Sequence, residues 1–302
     1  MTKMETKLLY SEPYRELSPE NFPLSLRNSK YCPKRLFCKG MLPTADKIGI
    51  AMVGTRRPST SAEELCRRLV TSLQHTNAVV VSGLALGIDS YCHRAALDSG
   101  IPTIAVLAQG LNAKIEGERA VLAERIIDAG GALLSEYESD TPAYKGNFVA
   151  RNRIISGLSQ TTLVVQSRKK GGALLTAQFC MDENKQLLAC PGNFDDELYS
   201  GTNALLDSGR AKPVFVPESL RSAAGIPLLD GTKIGELATC GVQLSTGAQD
   251  VFKRFNGFRK TFSELQQEIG FKTPELLAIL TELEISGLVT SKDNFQFYFN
   301  GA

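Results

Sequence analysis

The chain has 302 residues, 43% hydrophobic and 22% charged, with a net charge of +2 and an isoelectric point near 8.1. This is the make-up of a soluble globular protein, long enough for one large domain and one small one. Seven cysteines with no CxxC pair and only two histidines argue against a zinc site or a disulfide framework, the polar Met1–Phe22 stretch is no signal peptide, and no run of 18 apolar residues exists to span a membrane.

Residues 1–45 contain five prolines and read as an irregular N-terminal arm. A regular rhythm then begins. Ile48–Val53 reads as a strand, and Ser61–Leu73 as a helix with Ala62, Leu65, Leu69 and Leu73 on one face. Strand signals recur at Ala78–Val81, Pro102–Leu107, Leu133–Ser135, Thr161–Val165, Gln186–Cys190 and Lys212–Val216. Helix signals fall between them at Asp89–Leu97, Gly117–Ala129, Arg151–Leu158, Ala173–Asp182 and Asn203–Asp207. This alternation predicts an α/β domain over 46–217, a mostly parallel sheet with helices on both faces. Residues 218–250 read as a linker. Phe262–Ile269, Thr273–Ser286 and a hairpin ending at Phe299 outline a small winged helix over 251–302, with six basic and six acidic residues. That balance favours a protein contact over a DNA-reading role.

Four segments carry candidate chemistry. Val53-Gly54-Thr55-Arg56-Arg57-Pro58 ends a strand, where open parallel sheets bind ligands, and suits a phosphate or a plain strand-to-helix turn. Ser82-Gly83-Leu84-Ala85-Leu86-Gly87-Ile88-Asp89 allows close backbone contact, or is a tight turn with Asp89 as N-cap. His93, one turn further on, reads as structural. Thr141 to Met181 holds six basic residues (Lys145, Arg151, Arg153, Arg168, Lys169 and Lys170) and no acid in 41 positions. Such a segment makes a positive field to which phosphate polymers respond. Tyr144 and Phe148 lie among these cations, and bases of a single strand stack on such rings without sequence demand. Asn147 and Asn152 add neutral donors and acceptors; the plainer alternative is a solvated basic face. Finally, Gly171-Gly172 opens a helix and offers backbone amides to an anion. The order of a Walker A loop is absent, which disfavours a nucleoside triphosphatase.

These blocks, with Ser135-Glu136-Tyr137, the run Phe148–Leu158, Pro191-Gly192 and Gly201-Thr202-Asn203-Ala204-Leu205-Leu206, resemble in content and order the DNA-processing protein A family (DprA/Smf) of bacterial natural transformation. The resemblance implies an extended Rossmann-like fold and a cytoplasmic, non-catalytic, dimeric protein. It also implies that the protein binds and protects incoming single-stranded DNA and helps load the RecA recombinase, with no cofactor or metal. It points to Arg56 on a DNA phosphate, to Lys145 and Phe148 lining the pocket, and to Gly171-Gly172 with Lys169 and Lys170 completing the cleft. Gly54, Thr55, Ser82, Gly83, Arg151, Asn152 and Arg153 belong to the same expected DNA-binding set. The chain departs from the family pattern in three places. Gly110–Glu116 lacks the Tyr-Pro common after the third strand, Gln166 replaces a common Glu, and Gly171 stands where serine is frequent. The 45 residues before the first strand are also too few for the helical domain many members carry there.

The competing class is a nucleotide-processing enzyme of a related fold. It needs a general base, for which Glu136 is the tempting carboxylate; Glu136 could equally pair with a basic residue. A transcription regulator using the winged helix is a third reading, weakened by the balanced charge.

Overall fold

The computed structural model describes residues 13–227, 229, 245–255, 259–285, 288–292 and 296–299. The chain divides into two compact units, Met1–Pro227 and Leu228–Ala302.

The first unit is built on a nine-stranded sheet. Its strands are β1 (Arg15–Leu17), β2 (Leu36–Gly40), β3 (Ile48–Gly54), β4 (Ala78–Ser82), β5 (Thr103–Val106), β6 (Ala132–Ser135), β7 (Thr161–Gln166), β8 (Gln186–Ala189) and β9 (Lys212–Pro213). The helices are α1 (Leu24–Arg27), α2 (Ala62–Thr71), α3 (Ile88–Asp98), α4 (Glu118–Asp128), α5 (Lys145–Gly157), α6 (Ala173–Asp182), α7 (Ser200–Asp207) and α8 (Leu220–Ala223). The strand order is β1-β2-β6-β5-β4-β3-β7-β8-β9, parallel from β6 to β9. Near-continuous apolar runs such as Ile50-Ala51-Met52-Val53 fit strands covered on both faces. Their side chains alternate: Ala51 and Val53 pack with Ile154, Ile155 and Ala177 on one side, and Ile50 and Met52 with Cys66, Leu69 and Cys92 on the other.

The N-terminal segment corrects the arm expectation. β1 and β2 join the sheet antiparallel, with Glu16 opposite Phe37 and Cys38 opposite Leu134. Their prolines lie outside the strands, so the ladder keeps its N–H donors. Three boundaries also move. α5 starts at Lys145 rather than Arg151, β9 is two residues long, and the expected linker begins inside the first unit, where Leu220 and Ile226 are buried against it. The remaining linker positions at 228 and 230–244 lie outside the described residues, as do 1–12 of the expected arm and 256–258, 286–287, 293–295 and 300–302 of the expected C-terminal module.

In the second unit, α9 (Thr246–Phe255), β10 (Arg259–Thr261), α10 (Phe262–Ile269), α11 (Thr273–Ile285), β11 (Val289–Lys292) and β12 (Gln296–Phe299) follow in order. Its three strands are antiparallel, ordered β10-β12-β11. Thr261 and Glu264 form a reciprocal cap at the start of α10. Val251, Phe255, Leu265, Leu280, Leu283 and Phe297 share its core.

No described helix is long and apolar enough to cross a membrane. The six described cysteines are free thiols, and no described cluster of three His, Cys, Asp or Glu could hold a metal.

Candidate nucleic-acid interface

β3 lies between β4 and β7, the point where the chain turns from building the sheet one way to building it the other. Open α/β sheets bind ligands at this switch, beyond the carboxyl ends of the strands. Here it holds a cleft of about 240 Å³. Gly54, Thr55, Arg56, Phe148, Arg151, Asn152, Gly171 and Gly172 line it, and Ala85, Asp89, Ser167, Leu175 and Thr176 join them.

A larger cavity of about 1000 Å³ lies at the amino ends of β3, β7 and β8. Two of its four cations are committed, and the acids Asp182 and Glu183 also line it. Lys185 donates to the Ser156 and Gly157 carbonyls at 3.0 and 3.1 Å, and Lys30 donates to the Asp182 carbonyl at 2.7 Å. Location at the carboxyl ends of the strands therefore favours the smaller cleft.

The loop after β3 sets one wall. The Thr55 N–H donates to the Gln166 carbonyl at 2.8 Å, and Thr55 Oγ1 accepts from the Arg57 N–H at 3.2 Å. A Cβ on Gly54 would lie 2.5 Å from the Ile88 side chain, so glycine lets α3 pack against the strand end. Gln166 is buried and bridges to the same loop. It accepts from the Ser59 N–H at 2.9 Å and donates to Ser59 Oγ at 3.1 Å. Only an amide gives and takes in this way, since an ionised carboxylate can only accept.

Arg56 is exposed, and its guanidinium lies 4.6 Å from the Phe148 ring centroid, within cation–π reach. Phe148 is half-buried on α5. Helical spacing puts Lys145, Phe148 and Asn152 along one face of that helix (i, i+3, i+7). Lys145 is exposed but does not line the cleft.

Arg151 departs from the expected role. It is 4% exposed, and its Nη1 donates to the carbonyls of Gly83, at 2.5 Å, and Val106. Its Nη2 stands 3.9 Å from Asp89 Oδ2. Burial brings the Arg151 pKa down to about 10, which the Asp89 charge only partly offsets. Burial likewise raises the Asp89 carboxyl, against the pull of Arg151. Arg151 thus remains charged at neutral pH and is spent on the β4 and β5 strand ends.

Ser82 and Gly83 serve the same packing. Ser82 is buried and donates to the Met52 carbonyl at 2.6 Å, and a Cβ on Gly83 would lie 2.2 Å from Arg151 Cζ. Asp89 sits one residue inside α3, where Gly87 is the N-cap, and accepts from the Ala85 N–H at 3.4 Å. Arg153 lies away from the cleft. It donates to both Glu136 oxygens at 2.5 Å and to the Tyr31 carbonyl at 2.5 Å. His93 is buried, with Nδ1 2.7 Å from Thr103 Oγ1, and burial lowers its pKa to about 3.

At the β7–α6 turn, a Cβ on Gly171 would meet Ser167 Oγ at 2.2 Å, while one on Gly172 would point into open space. The amides of Gly171, Leu174 and Leu175 already donate to carbonyls. The helix start therefore offers an anion at most the amides of Gly172 and Ala173. Asn152 Nδ2 reaches the Gly172 carbonyl at 3.5 Å. Lys169 and Lys170 are exposed beside this turn but outside the cleft lining, and the neighbouring Arg168 is paired with Glu197.

The sequence reading missed Arg119, in the first turn of α4, which donates from Nε to the Leu84 carbonyl at 2.9 Å. The available signal was topological. In a parallel sheet, a helix that follows a strand starts at that strand's carboxyl end, so Arg119 had to lie at the cleft's end of the sheet.

Residues 15–224 match the family described as DNA recombination-mediator protein A. Protein Smf of Escherichia coli is 31% identical over 95% of this chain and 79% of its own length. The DNA processing protein DprA of Bacillus subtilis is 35% identical over 68% of each chain. Among solved structures, DprA of Streptococcus pneumoniae superposes with a TM-score of 0.62 at 32% identity, covering 71% of this chain and 75% of that one. DNA processing protein A of Helicobacter pylori, whose single-stranded DNA binding mode has been described structurally, gives 0.63 at 30% identity, covering 70% and 96%. With the family match spanning the whole sheet and the cleft, this chain belongs to the DprA/Smf family of DNA recombination mediators.

Proposed function

We propose that the protein binds single-stranded DNA in the cleft at the carboxyl ends of β3, β4 and β7. Arg56, laid over Phe148 at the mouth of the cleft with no ion-pair partner among the described residues, carries the reading. A phosphate draws the Arg56 guanidinium into a charge-assisted hydrogen bond and uncovers the Phe148 ring for a base. Lys145, Lys169 and Lys170 form the rim along which the backbone continues, and the Gly172 turn takes a further phosphate. Arg151, Asn152, Ser82 and Gly83 hold the frame.

In this reading the protein is a non-catalytic, cytoplasmic homodimer that protects incoming DNA and passes it to the RecA recombinase, as family membership supports. A nucleotide-cleaving activity is disfavoured because Glu136 is held on both oxygens by Arg153. We read the second unit as a winged helix. The exposed positions of α11 include Thr273, Glu275, Leu277 and Thr281, and the helix carries no Lys or Arg, which favours a protein partner over DNA.

Fluorescence anisotropy with a labelled dT oligonucleotide at low salt tests the proposal. Binding should fall steeply with salt, by about 0.7 log units per log unit of salt for each phosphate held. Arg56→Ala should weaken it roughly tenfold or more with an unchanged melting temperature. No binding by the wild type, or full binding by Arg56→Ala, would discard the site.

A further inference from the structure

We propose that Arg119 forms a further phosphate seat beside the one at Arg56, on the side of the cleft facing the β4–α3 loop, so that a bound strand passes across the strand ends rather than stopping at Phe148. This rests on the single-strand reading above and names the direction in which the site extends.

The loop between β4 and α3 joins the two arginines. A Cβ on Gly87 would lie 2.5 Å from the Thr55 carbonyl oxygen and 2.9 Å from Arg56 Cα, so this loop packs directly on the Arg56 turn. At its other end the Leu84 carbonyl accepts from Arg119 Nε at 2.9 Å. Leu84 is buried with φ at 52°, a left-handed conformation that opposes its Cβ. Two side chains hold it there, with Arg151 on the Gly83 carbonyl and Arg119 on the next one.

The bond from Nε anchors Arg119 and leaves its terminal nitrogens uncommitted among the described hydrogen bonds and ion pairs. Burial, and after it the nearby Arg56 charge, lower the Arg119 pKa, while Asp89 works the other way. The same neighbourhood contains Arg151, so three guanidinium groups share one carboxylate, Asp89, which Arg151 already engages. These charges gather at one end of the sheet, and an anion beside Arg119 relieves them. A phosphodiester supplies two unesterified oxygens for that purpose, and guanidinium forks match them bidentately.

A length series of labelled dT oligonucleotides, bound to the full chain and its Arg119 variants over a range of salt, reads the seat. Arg119→Gln, which keeps a donor for the Leu84 carbonyl, should reduce the salt slope by about 0.7 and weaken long oligonucleotides roughly five- to tenfold at low salt. A trinucleotide should be nearly unaffected, and Arg119→Lys should restore the slope. An unchanged slope in Arg119→Gln, or no rescue by Lys, would reduce Arg119 to a support for Leu84. The Arg119 Nε–Hε resonance in the wild type gives a check independent of any variant's folding. It should shift on titration with a long dT oligonucleotide, and a resonance that stays put overturns the seat. Wild-type protein that binds no oligonucleotide would overturn the single-strand reading itself.

Discussion

Arg151 and Arg56 border one cleft, yet their surroundings are opposite. Arg151 is 4% exposed and fixed to two strand-end carbonyls and a buried carboxylate, whereas Arg56 is exposed and rests on an aromatic ring. The same division runs through the acid-free segment. Arg151, Arg153 and Arg168 find acids brought from elsewhere in the chain: Asp89, Glu136 and Glu197. Lys145, Lys169 and Lys170 form no ion pair among the described residues. The planar guanidinium binds carbonyl and carboxylate forks inside the fold, and the flexible ammonium stays hydrated at the rim. The positive field a ligand meets is therefore narrower than the run of basic residues suggests.

The largest expected effect is on the inner layer. Arg151→Ala leaves Asp89 buried without its partner and the Gly83 carbonyl without its donor. Breaking a buried pair from one side costs about 3–5 kcal/mol. Urea denaturation should show that loss, and oligonucleotide binding should fall with the folded fraction. A variant that melts like the wild type but no longer binds would move Arg151 from the frame to the ligand.

A second break concerns pH. His93 is buried, with its pKa lowered from 6.5 to about 3 by burial and then by the Arg151 charge. The unfolded chain takes up the imidazole proton first as pH falls. The stability it contributes is thus full above pH 6.5 and is lost as pH drops toward 3, at about 1.4 kcal/mol per unit. His93→Leu should flatten denaturation midpoints between pH 6 and 4 by roughly one proton's worth. The rim is built of lysines and holds no histidine, so affinity per folded molecule should not follow. Parallel loss of affinity and stability in the wild type would join the two layers again.

Much of this division was hidden in the sequence for physical reasons. The apolar strands β3, β4 and β7 declare themselves because burial on both faces demands continuous hydrophobic runs. β1 and β2 do not, since they are short, antiparallel and set among prolines. The first turns of α5 carry Gly146 and Asn147, poor helix formers with no apolar period, so the sequence pattern starts this helix at Arg151 and misses the turns that place Lys145 and Phe148 one turn apart. Arg56 and Gly171 were legible as residue types at strand ends, and Phe148 as a ring among cations. The partners that withdraw Arg151, Arg153 and Arg168 were not, because pairing across 62, 17 and 29 positions is a product of topology.

The smallest effects test the rim. Lys169→Ala and Lys170→Ala should each weaken a dT oligonucleotide about two- to threefold and lower the salt slope by up to about 0.7, with no change in melting. Single exposed cations contribute little to folding. Between these lysines and the sheet, Arg168 is paired with Glu197, both of them exposed. Glu197→Gln removes that competitor and adds one free guanidinium to the rim. It should raise the slope by about the amount each lysine variant loses, and tighten binding by roughly twofold. If instead Glu197→Gln leaves the slope alone while the lysine variants lower it, the strand's path runs over Lys169 and Lys170 without reaching Arg168. The rim would then end at the β7–α6 turn.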